Sequence, residues 1–213
     1  MSDTSSHLRP ASPGELDGLS LARLISRLGV VPSSPGTFLP GVPASLATAW
    51  REWVDSLLLP LLASPFAAAH RLAGGIRPNE IAHIDRDLDA RLPLPQRTRS
   101  LSAARAFFEG KNGMSGHREW SRYAAMVEQG VSPGHLPVVF AVQTALYHLP
   151  LATSLAAYAW FELESALRAS VRDEPGSGNL CLELFASTLP ALQVAINPEP
   201  NELPGDAPRL RIV

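Results

Sequence analysis

Residues 133 to 171, PGHLPVVFAVQTALYHLPLATSLAAYAWFELESALRASV, decide the fold. Two helical segments meet here at Leu149-Pro150. Pro133 to His148 carries Leu136, Val139, Phe140, Val142 and Leu146, and Ala152 to Val171 carries Leu155, Tyr158, Ala159, Phe161, Leu163, Ala166 and Leu167. Apolar residues run round most of both circumferences, so both should be buried on several sides at the centre of a domain. A turn this short allows only near-antiparallel neighbours or a sharp bend.

Working outward, helical periodicity recurs and period-two alternation does not, which predicts an all-α fold. Upstream, Ala44 to Leu62 has an inward stripe of Leu46, Trp50, Trp53, Val54, Leu57 and Leu58. Pro60 should kink or split it, and Ser64-Pro65 reads as the cap and first turn of a new helix ending at Gly74-Gly75. Pro78 opens a helix with Ile81, Ile84, Leu88 and Leu92 on one face. Pro93 and Pro95 break the chain before a helix from Gln96 to about Gly110, and His117 to Gln129 turns Trp120, Tyr123, Ala124 and Val127 inward. Nearer the start, Leu21, Leu24, Ile25 and Leu28 mark a short helix over 19–29, and the prolines and glycines of VVPSSPGTFLPGVP forbid regular structure after it. A last helix ends near Ile196. The expected architecture is one helical bundle of about eight to ten helices over 19–196, between a disordered segment at 1–18 and a flexible tail at 197–213.

Composition narrows the function. A chain of 213 residues, 46% of them hydrophobic, can bury one sizeable core, so one domain is expected. A formal net charge of -2 gives no field that would gather nucleic acid or an anionic membrane. No apolar run reaches the ~20 residues of a spanning helix, and the N-terminus lacks the basic and apolar regions of a secretory signal, so a cytoplasmic protein is expected. The single Cys181 allows no internal disulfide and reads as a core residue.

Motifs for catalysis are missing. There is no phosphate loop between strand and helix, no HExxH, no CxxC and no GxSxG at a strand end. Asp85, Asp87 and Asp89 fan round a helix rather than converge, with Arg86 and Arg91 as surface partners. The histidines are scattered. His135 stands apart, because it sits in the first turn of the most apolar helix pair, where a ring caps or orients something. Glu162 and Glu164 read as a solvated strip on a mostly buried helix, with Glu164 and Arg168 paired at i, i+4; a polar patch at a protein interface is the alternative. Two further readings stay open on these residues alone. One is a helical enzyme holding a metal or cofactor between His and Glu of facing helices; the other is a module closing on an apolar small ligand.

Three stretches together resemble the urease accessory protein UreF family, all-α nickel-maturation chaperones. The leucine-rich Leu21-Leu24-Ile25 precedes Gly36 and Phe38 at the spacing of an LPxGxF-type loop. IDRDLDARLPLPQRTRSLSAAR is similar to a leucine-and-aspartate helix followed by an ExRxxS-type segment, with Arg99 and Ser102 on the matching positions. GHLPVVFAVQ onward is similar to a His-start apolar helix, an alanine-rich helix and a Pro-Gly loop. The chain departs from the pattern at Gly41–Ser45, where the family has SxGLE, and at Arg97, Ala141 and Glu174–Gly178. The resemblance, over roughly 20–196, implies assembly without catalysis and no tightly bound cofactor, nickel being handled by a complex. It implies a homodimer that binds a UreH/UreD-like accessory protein and a UreG-like GTPase and serves apo-urease. It also implies interface or structural roles for Gly36, Phe38, Arg99, Ser102 and His135.

Overall fold

The computed structural model describes residues 36–38, 45–75, 77–109, 117–170 and 177–196, together with Ser20. The expected helix over 19–29, the lead-in and the tail lie outside the described residues. Those described are all-helical, with no strand. The helices are α1 (Leu46–Trp53), a π-helical segment (Val54–Leu62), α2 (Ala63–Gly74), α3 (Pro78–Arg91), α4 (Leu94–Glu109), α5 (Arg118–Glu128), α6 (Leu136–Leu146), α7 (Leu151–Ser170) and α8 (Ser177–Ile196).

The count differs from expectation at one place. α1, the π segment and α2 abut without a break, so the described residues form seven continuous rods rather than eight to ten separate helices. Pro60 neither splits the rod nor starts a new one. A proline in an α-helix lacks the N–H that would bond back four residues, and its ring clashes with that carbonyl. The wider π turn absorbs the mismatch over nine residues. The Pro60 carbonyl also accepts from Nη2 of Arg91 on α3 at 3.4 Å. Ser64-Pro65 therefore lies inside a helix instead of opening one. Ser45 opens the rod, its hydroxyl accepting from the Thr48 N–H at 3.3 Å. Pro95, read as a breaker, sits in the first turn of α4, where a missing N–H costs nothing.

Continuity has a second consequence. The 29-residue rod Leu46–Gly74 and the stretch Asn179–Ile196 are long and apolar enough by composition to cross a bilayer, longer than the sequence breaks suggested. Half of the most apolar window of the first and a third of that of the second are buried inside the bundle, so much of this apolarity serves the core.

α6 is the axle. Every residue from Leu136 to Ala145 is buried, with α2, α4, α5 and α7 packed around it. α7 follows after a turn in which His148 takes φ 58, and it packs between α6, α2 and α8. Phe140 on α6 meets Phe107 of α4 at 5.8 Å, and Tyr158 and Phe161 of α7 at 5.6 and 5.8 Å, an aromatic cluster at the centre of the bundle. The apolar expectation for residues 133–171 thus describes the observed centre.

Candidate functional site

Two buried carboxylates organise the polar interior. The first is Asp85 on α3, on the same inward stripe as Ile81, Leu88 and Leu92 and fully buried with Ile81, Leu88 and Leu92. It accepts from the Ser132 hydroxyl at 2.5 Å, the Gly134 N–H at 2.5 Å and the His135 N–H at 3.1 Å. The next N–H, that of Leu136, donates to the Ser100 hydroxyl of α4 at 3.0 Å. The start of α6 therefore receives its caps from two other helices, and the carboxylate lies at the positive end of the α6 dipole. Gly134 is required by its φ of 80 and by space, since a Cβ there would come within 2.5 Å of Val127.

His135 occupies the N-cap position without capping the helix by its own ring. The ring is fully buried, and its Nε2 lies 3.0 Å from Oδ1 of Asp89, which the Arg97 guanidinium also approaches at 3.5 Å. Burial raises the Asp85 carboxyl above the ordinary carboxylate range, while the Ser132 hydrogen bond, the His135 ring and the two backbone N–H groups pull it back. Tyr123 lies beside this cradle, its phenol pushed well above its usual value by burial and by the charge of Asp85.

The second carboxylate is Glu162 on α7, fully buried. Its Oε2 accepts from the Gly36 N–H at 2.8 Å and the Phe38 N–H at 3.3 Å. Its Oε1 accepts from the Thr37 N–H at 2.9 Å, the Thr37 hydroxyl at 2.9 Å and the Tyr158 hydroxyl at 2.6 Å. One side chain thus fixes three consecutive residues of an irregular segment. Burial, and next the Glu162 charge, hold the Tyr158 phenol well above its usual range. Phe38 completes the latch, its ring 5.3 Å from Trp50 and 5.6 Å from Trp53, with no exposed surface. Gly36 has no room for a side chain, because a Cβ would lie 2.3 Å from Leu136 Cδ2 and 2.9 Å from Glu162 Oε1.

The residues singled out from the sequence do not converge on one pocket. Gly36, Phe38 and His135 face inward, whereas Arg99 and Ser102 lie one turn apart on the exposed side of α4. The reading of Glu162 as solvated is corrected: it is among the most buried polar groups, because three loop N–H groups and the Thr37 and Tyr158 hydroxyls donate to it. Its partner in that reading, Glu164, does pair with Arg168 at 2.5 Å near the surface. Asp85 and Ser100 were also missed. The signal for both carboxylates was present: Asp85 falls four residues after Ile81 and three before Leu88, and Glu162 falls four after Tyr158 and seven after Leu155, on the apolar face in each case.

Among the described residues, no three His, Cys, Asp or Glu side chains gather as a metal site. His70 instead contacts the Leu149 carbonyl at 3.0 Å and the Ser154 hydroxyl at 3.1 Å, tying α2 to the α6–α7 turn.

Both carboxylates are occupied by main-chain N–H groups, so what the geometry defines is a helical scaffold held in shape by its polar interior. The family model for UreF matches residues 43–175, more than half of the chain. The chain belongs to the UreF family of urease accessory proteins, which are chaperone-type proteins and not enzymes. It has no match among curated proteins or solved structures.

Proposed function

We propose that this chain acts in the cytoplasm as a nickel-insertion chaperone. It dimerises, binds a UreH/UreD-like accessory protein, and with it recruits a UreG-like GTPase to apo-urease. In this reading nickel passes through the assembled complex rather than being held by this chain alone. Arg99 and Ser102 face partners, while Gly36, Phe38 and His135 hold the shape that presents them.

The observation that supports this reading is the outer face of α8. Leu182 is 40% and Val194 70% exposed, and Ala186 and Pro190 are exposed between them. Glu183 is the one charged residue of the helix. An apolar stripe of this length on a surface helix suits association with protein rather than with water.

The test is light scattering on the purified chain, followed by co-expression with a UreH-like protein and a UreG-like GTPase from the same host. A dimer and a retained three-component complex are expected. L182E combined with V194E should leave the helical circular dichroism unchanged and give a monomer that fails to hold the complex. A wild-type chain that is monomeric at about 100 µM, a concentration well above a micromolar Kd, and that retains neither partner would overturn the reading.

A further inference from the structure

We draw no further inference here: the strongest candidate, the outer face of α4 on which the exposed Arg99 and Arg105 flank Ser102 without an ion pair among the described residues, carries nothing because nothing in the structure shows what covers it.

Discussion

Replacing Glu162 by Gln is the most informative single change, because it keeps shape and alters only what the side chain can accept. Five donors converge on the carboxylate, three on Oε1 and two on Oε2. An amide has one acceptor oxygen, and its NH2 must face donors. With the NH2 at the Oε2 position, two backbone N–H groups, those of Gly36 and Phe38, lose their acceptor. At the Oε1 position the Thr37 and Tyr158 hydroxyls can turn to accept, so only the Thr37 N–H is orphaned. The second arrangement is the cheaper. It costs about 1–3 kcal/mol for the orphan, and the bonds to Gly36 and Phe38 lose their charge assistance, about another 1 kcal/mol. Relief of carboxylate desolvation returns part of this, leaving a net loss of roughly 2–3 kcal/mol. There is also a ceiling. The loss cannot exceed the free energy of seating the segment, because beyond that point residues 36–38 leave the protein and Phe38 exposes a ring whose burial is worth about 1.5–3 kcal/mol. Urea titration read by tryptophan emission separates the outcomes, since Trp50 and Trp53 line the Phe38 pocket. The expected result is a lower midpoint, with emission shifted to the red before the main transition. Wild-type midpoint and wild-type emission in E162Q would refute the argument that this carboxylate seats the loop.

Other expectations follow from buried groups elsewhere. Gln143 is fully buried in α6 with both ends of its amide unpartnered among the described residues, so Q143M, which retains length and removes the polar atoms, should stabilise the protein by about 1–2 kcal/mol in the same titration. The His70 ring is held below its ordinary value by burial and by the charge of Arg71, against the raising effect of the Leu149 carbonyl. The unfolded chain therefore binds the proton more readily; the His70 contribution is intact above about pH 6.5 and is lost as pH falls below it. H70N should flatten the decline of thermal stability between about pH 7 and pH 5.5. The Cys181 thiol is pushed up to about 11 by burial and by the charge of Glu164. At pH 8 its thiolate fraction is about a thousandth, so iodoacetamide should label the native protein far more slowly than the urea-unfolded chain.

Much of the fold was legible because helical periodicity is a local signal. The stripe of Trp50, Trp53, Val54, Leu57 and Leu58 could be read by counting, and so could the all-round apolarity of α6. Continuity of the long rod was not legible, since Pro60 and Ser64-Pro65 read locally as breaks and nothing in the sequence announces the π-helical stretch that carries the chain past Pro60. The carboxylates were misread for a related reason. By periodicity alone a polar residue in a helix reads as exposed, whereas the partners, Ser132 to His135 for Asp85 and Gly36 to Phe38 for Glu162, come from distant segments that no periodicity announces. Gly36 and Phe38 were found through their loop pattern, but the group that seats them was not, because a glutamate in a helix carries no mark of what it will accept. Ser100 lay two residues from the chosen Ser102, and only the turn of α4 toward α6 decides which of the two is inside.

That turn links the two polar clusters and gives a further prediction. Glu162 seats Gly36; the vacant Cβ position of Gly36 lies 2.3 Å from Leu136 Cδ2; the Leu136 N–H is capped by Ser100; and Ser100 is flanked on α4 by the outward Arg99 and Ser102. Leu136 is fully buried, so a methyl group at Gly36 must move it and strain the hydrogen bond that Ser100 makes to its backbone. S100A alone should cost about 1–2 kcal/mol as a lost cap, and G36A alone about 1–3 kcal/mol as overpacking. The double variant should lose less than the sum, because once Leu136 has shifted the cap has less to give. A coupling of about 0.5–2 kcal/mol is expected for groups sharing one neighbour, against ~0.3 kcal/mol or less for independent sites. Additivity within that smaller limit would mean that the loop and the α4 face are held separately. Coupling would mean that the position of Arg99 and Ser102 depends on a segment nearly a hundred sequence positions before the helix it presses on.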